Sequence, residues 1–303
     1  MSISEISRVI EEFRSRTTAP VGILFRDLQS GETVAHNGDR PFPTASMYKL
    51  YILAELYRKA YAGECALSDR ILLEDSMRSI GSGVLKNLEA GASLTLKDYA
   101  MLMMNLSDNT ATNVLFRYLG RDSIRKNVIE AVGLSSTKCD FDCTELIDRY
   151  FDLNGKSIVQ LRKENGGELP NYRNSPYYSC DTEDNNQTSC FDAALMYEMI
   201  YRGEWVSREA CDEMLEILKL CQTNGRIPYD LPQTVSVAHK TGTLDRLCVD
   251  TGIVYAPGGD YILCLFYNGN LGSEEEYKRN DRGRVGESYL ADLSAGIYEA
   301  YHM

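Results

Sequence analysis

Strand-like segments lie at both ends of this 303-residue chain, and the middle reads almost entirely as helix. Near the start, residues 21–28 and 33–36 are short apolar runs separated by the turn Gln29-Ser30-Gly31-Glu32. Near the end, residues 234–240, 249–256 and 261–267 repeat that character, the last two joined by Pro257-Gly258-Gly259. Helical periodicity flanks these strands at residues 4–16, where Ile6, Val9, Ile10 and Phe13 share one stripe, and at residues 287–301. Edge strands left at opposite ends of a chain must be paired somewhere. The packing that does this most simply is α+β: one antiparallel sheet built from both chain ends and flanked by helices, with an all-helical lobe inserted. The expected division is residues 1–45 and 222–303 for the α/β lobe and 46–221 for the helical lobe.

Within the insert, residues 46–62 form a helix apolar on nearly every side, which places it in the interior. Further helices are expected at 95–106, at 110–119 (ended by Gly120), at 122–132 (ended by Gly133), and at 191–202 and 207–220. Residues 141–154 fit helix or loop. Residues 155–189 are rich in Gly, Asn, Ser, Pro and charge and read as a long loop. Loops of that length in compact domains cover a functional site or move.

Bulk properties exclude several classes. Apolar residues are 44% and charged residues 25%, the balance of an ordinary globular chain. The net charge of −12 argues against nucleic acid or an anionic membrane as the main partner. No apolar run is long enough to span a bilayer, and no secretory leader pattern opens the sequence as given. Nine cysteines, an odd number without paired C-x-x-C motifs, point to reduced thiols and a cytoplasmic setting. With only three histidines, no metal centre or other cofactor is expected.

Three short motifs carry chemistry. Ser46-Met47-Tyr48-Lys49 opens the buried helix, Ser107-Asp108-Asn109 lies between two helices, and Lys240-Thr241-Gly242 ends an expected strand. The first alone means little, because composition gives roughly one such match by chance in a chain of this length. Ser46 could be a helix cap and Lys49 a snorkelling lysine; Ser107-Asp108-Asn109 could merely cap the next helix. Together and in this order the motifs favour a site. Ser46 and Lys49 share a helix face, and burial would lower the lysine pKa enough for a neutral amine to take the serine proton. The Ser46 N–H, at a helix start, could donate to an oxyanion.

This set resembles the penicillin-recognising serine hydrolases, and most closely their class A β-lactamase branch. The likeness extends to Ser82-Gly83-Val84-Leu85-Lys86, Leu94-Thr95-Leu96, residues 107–113, residues 237–243 and Gly252-Ile253-Val254-Tyr255-Ala256-Pro257. It implies a β-lactamase/transpeptidase-like fold and a Ser46 acyl-enzyme formed on a small β-lactam or peptide substrate. Lys49 would be the base, and Ser107 would relay a proton to the leaving nitrogen. Asn109 would hold the substrate side-chain amide. Lys240, Thr241 and Gly242 would line the carboxylate site, and Thr243 N–H would be the second oxyanion donor. Arg226 is similar to a second carboxylate-binding cation in some members, with Arg246 its rival. His239 and Trp205 read as structural.

The resemblance weakens at deacylation. Class A enzymes activate the hydrolytic water with the glutamate of a Glu-x-x-Leu-Asn loop. Aligning Leu153-Asn154 with that loop puts Tyr150 at the glutamate. Glu145 lies at about the expected distance, and Asp148 and Asp152 are further candidates. The surplus length between Ser107 and Lys240 falls in residues 155–189. The expected function is therefore a serine β-lactamase. A DD-peptidase-like amide or ester hydrolase and a β-lactam- or peptide-binding pseudoenzyme that acylates and stalls are the alternatives.

Overall fold

The computed structural model describes residues 3–89, 91–167, 185–279 and 284–302. In chain order the elements begin with α1 (Ile3–Arg14), β1 (Val21–Asp27), β2 (Thr33–His36) and β3 (Phe42–Pro43). A 3-10 turn (Ala45–Tyr48) then runs directly into α2 (Lys49–Tyr61). Next come β4 (Arg70–Leu72), β5 (Ser93–Thr95), α3 (Leu96–Asn105), α4 (Asn109–Leu119) and α5 (Arg121–Ile124), which continues as a wider π turn to Glu130. The chain goes on through α6 (Cys143–Phe151), α7 (Ile158–Glu164), β6 (Gln187–Thr188), α8 (Cys190–Arg202) and α9 (Arg208–Lys219). It ends with β7 (Ser236–Leu244), β8 (Leu247–Tyr255), β9 (Tyr261–Asn268), α10 (Glu274–Arg279) and α11 (Arg284–His302).

The main sheet has the order β2-β1-β9-β8-β7, antiparallel throughout, so β1 from one chain end pairs with β9 from the other. Strand alternation splits the core in two. Ile23, Phe25, Leu263 and Leu265 face α1 and α11, while Leu24, Ile262, Cys264 and Phe266 face the helical lobe. On that inner side one continuous core takes in α2, α3, α4, α8 and α9. The helix α2 is buried from Lys49 to Tyr57, as its all-round apolar sequence requires. Each fully buried leucine or isoleucine there contributes about 1.5–3 kcal/mol. Trp205 belongs to this core and donates its indole N–H to Ala54 O at 3.1 Å. The fold is β-lactamase/transpeptidase-like, as the motifs implied.

Two local expectations are corrected, and two stretches without a firm expectation take shape. Within residues 141–154, Cys143–Phe151 form helix α6, because Asp142 and Glu145 make a reciprocal capping box at its start. The stretch 155–189 is not a loop throughout: Ser157 and Gln160 form a second capping box that starts α7, and β6 pairs with β3. The remainder of that stretch, residues 168–184, lies outside the described residues. Lys240-Thr241-Gly242 does not end its strand but sits inside β7, paired with Val249, Asp250 and Thr251 of β8. The small ladder of β4 with β5 had no clear alternation to announce it.

Candidate active site

Ser46 stands in the 3-10 turn ahead of α2 and opens on a cleft of about 1220 Å³. Two neighbours show what holds this turn. Ala45 has φ 44°, in the left-handed region that costs a non-glycine residue about 1–2 kcal/mol. Gly242 of β7 approaches so closely that a Cβ would come within 2.1 Å of Thr44 O. A glycine is therefore required for the strand to pack against the serine turn, which is the steric content of the third motif.

Lys49 is fully buried. Its Nζ donates to Ser107 O at 2.7 Å, Ser107 Oγ at 3.1 Å and Asn109 Oδ1 at 2.9 Å. Burial lowers its pKa. Two of its three partners can only accept, so a neutral amine keeps both of those bonds and leaves its lone pair for a hydroxyl proton. From β7, the equally buried Lys240 reaches the same Ser107 Oγ at 3.1 Å and also donates to Thr241 O at 2.8 Å. Burial, and then the charge of Lys49, push Lys240 down to about 7. The Ser107 hydroxyl thus bridges two amines whose charged forms are both disfavoured.

The second motif is fixed by its middle residue. One oxygen of the buried Asp108 carboxylate accepts the N–H groups of Val84 and Leu85, and the other accepts that of Ala111 as the N-cap of α4. Gly83, with φ 99°, leaves room for it; a Cβ there would overlap Asp108 at 2.1 Å. This ties the 82–86 segment to the start of α4 and holds Ser107 at φ 53° with its Oγ in the site. Asn109 donates to Ile80 O at 2.8 Å while accepting from Lys49, and it lines the cleft. Ala45, Ser107 and Arg246 are three of the seven described non-glycine residues with positive φ, and all three belong to this site. Backbone strain is concentrated there.

Thr243, next to Gly242, is exposed and lines the cleft, whereas Thr241 is buried inside β7. Arg226 is not in the cleft. It is buried behind β7, donating to Gly242 O at 2.8 Å, Val249 O at 2.7 Å, Thr243 Oγ1 at 2.6 Å and Glu287 at 3.0 Å. It braces the strand rather than presenting a free cation. Its rival Arg246 does line the cleft, at the mouth, stacked 4.1 Å from the Tyr277 ring and paired with Asp245. His239 is structural: buried, with Nδ1 2.8 Å from Asp250. Burial opposes its charge, but Asp250 outweighs it and raises the pKa to about 10.

Glu145 is not among the groups gathered at Ser46. One of its oxygens accepts the Asp142 N–H in the capping box, and the other accepts from Arg121 at 2.7 Å, 41% exposed. The α6 residues that line the cleft are Cys143, Leu146, Ile147, Tyr150 and Phe151. Against Glu-x-x-Leu-Asn, the segment Cys143-Thr144-Glu145-Leu146-Ile147 keeps only the leucine, with Cys143 at the glutamate and Ile147 at the asparagine. One shared letter is why reading the sequence missed Cys143 and Ile147. Tyr150 occupies the cleft wall, not the glutamate position.

The comparisons agree with this geometry. A family model described as the β-lactamase enzyme family matches residues 3–301. The chain is similar to the β-lactamase CARB-4 of Pseudomonas aeruginosa, 28% identical over 138 residues, 46% of each chain. That match spans about half the length of this curated relative. Similarity to the β-lactamase VEB-1 of the same species is 20% over 301 residues, 96% of this chain and 89% of the other. Among solved structures, a β-lactamase from Sphaerobacter thermophilus superposes with TM-score 0.78 at 28% identity, covering 100% of this chain and 98% of the other. PBP-A superposes with TM-score 0.77 at 23% identity, covering 99% and 97%. With the family matched across nearly its whole length and the two lysines of its motifs meeting on the Ser107 hydroxyl, this chain belongs to the β-lactamase enzyme family, as a class A-like serine hydrolase.

Proposed function

We propose that the protein opens β-lactam amides by acylation of Ser46. The observation that carries this is the Ser107 hydroxyl, 3.1 Å from both Lys49 and Lys240 beside the serine turn. The Ser46 hydroxyl adds to the lactam carbonyl carbon as its proton passes to neutral Lys49. The Ser46 N–H and the Thr243 N–H receive the developing oxyanion. The carbon–nitrogen bond then breaks, the nitrogen takes the Ser107 proton, and Ser107 regains one from the lysines. Lys240 in its charged form and the exposed Thr243 draw the substrate carboxylate into register, and Asn109 faces its side-chain amide.

The experiment is incubation with a chromogenic cephalosporin, following ring opening and intact mass. Wild type is expected to gain the mass of the ring-opened drug, and Ser46→Ala to gain none. A folded wild type with neither adduct nor ring opening would sink the reading. A peptide ending in a free carboxylate is the second reading. The cleft volume of about 1220 Å³ favours it, being larger than the roughly 300–1,000 Å³ that a drug-sized ligand needs.

A further inference from the structure

Hydrolysis of a Ser46 ester needs a group that takes a proton from water, returns it to Ser46 Oγ as the ester carbon–oxygen bond breaks, and holds that water in place. The wall of the cleft formed by α6 is where the expected glutamate loop would supply this. Here its first cleft-facing residue is Cys143, 5% exposed and rigidly placed. Its N–H donates to Asn113 Oδ1 at 2.9 Å, and its Sγ lies 3.1 Å from Tyr48 Oη. One turn later Ile147 offers no polar atom. Among the described lining residues the only carboxylate is Asp245, which is on the turn after β7 and paired to Arg246. Thiols are weak acceptors beside carboxylates, and a sulfur engaged by a phenol is a poor partner for water.

We infer that the pair Cys143 and Ile147 makes the Ser46 acyl-enzyme long-lived, so that the protein accepts one acyl group and holds it, and that the side chain at position 143 sets how long. This rests on the acylation reading above and names the step at which the site departs from a fast hydrolase.

Benzylpenicillin is the probe, with intact mass followed after removal of excess drug and acylation rate measured separately. Wild type is expected to keep its adduct over many of the intervals in which it formed. C143E, and C143E combined with I147N, should lose the adduct at least about 100-fold faster and gain steady turnover, the range of general-base effects. C143Q, of the same size without a basic oxygen, should not. If a buried glutamate prevents folding, C143G with added formate supplies the carboxylate in trans and should shorten the adduct lifetime with formate concentration. Two outcomes overturn the inference while leaving the acylation reading intact. One is a wild type that turns over rapidly; the other is a C143E variant that acylates at the wild-type rate yet holds its adduct as long, with formate equally inert on C143G. A folded wild type that never forms an adduct overturns both.

Discussion

On one side of Ser46 each polar side chain is tied to a distant element: Lys49 of α2 to Ser107 and Asn109, Lys240 of β7 to Ser107, and Asp108 to the 82–86 segment. On the other side α6 contributes Cys143, Leu146, Ile147, Tyr150 and Phe151. The first wall is over-determined, with bonds from two elements, α2 and β7, meeting on the Ser107 hydroxyl. The second depends on the side chains of a single short helix. Bond formation to Ser46 is therefore built into the packing, while bond release hangs on two substitutable positions.

The largest test of this contrast is Lys49→Met. If the amine is the base, acylation should fall by about 10²–10⁴-fold, and stability should fall by about 1–3 kcal/mol because the Ser107 carbonyl and Asn109 Oδ1 lose their buried donor. Stopped-flow ring opening with a cephalosporin reads the rate, and thermal melting reads the fold. Retention of the wild-type rate would break the assignment of the first wall.

Next is pH. Acylation should rise with pH as Lys49 loses its proton, then lose up to about tenfold per unit above roughly pH 7 for a substrate bearing a carboxylate, as Lys240 (about 7) neutralises. A penicillin methyl ester should lack that falling limb. Identical profiles for acid and ester would show that Lys240 does not hold the carboxylate.

Arg226→Met comes third. It removes the donor to the buried Gly242 and Val249 carbonyls and should lower stability by about 1–3 kcal/mol. As a brace behind β7, Arg226 should affect acid and ester substrates alike. A loss confined to the acid would restore it as a direct ligand of the substrate carboxylate.

The contrast also explains what was legible in the sequence. Motif residues whose neighbours are dictated by sterics announce themselves: Gly242 because any Cβ meets Thr44, Gly83 because any Cβ meets Asp108. The strands at both ends sufficed for the sheet because β1, already paired with β2, and β9, already paired with β8, each have one edge left, and they pair along it from Val21 and Tyr267 to Asp27 and Tyr261. Arg226 and Glu145 misled because their partners lie far along the chain, Glu287 being 61 residues after Arg226 and Arg121 being 24 residues before Glu145. Ser157-x-x-Gln160 was a readable capping box, hidden by the glycine- and asparagine-rich text that follows it.

Glu145→Gln should do almost nothing, and that makes it the sharpest control on α6. Glutamine still accepts the Asp142 N–H, so the capping box survives. The lost pair with Arg121 is exposed and worth about 0.2–1 kcal/mol. The melting temperature should move little, and the lifetime of the Ser46 adduct should not change. Faster decay in C143E beside an unchanged E145Q would assign release to the cleft-lining position 143, two positions before the only acid on the first turn of α6. An adduct markedly longer-lived in E145Q than in wild type would instead mean that this carboxylate leaves its cap to reach the water, and the two walls would no longer differ as described.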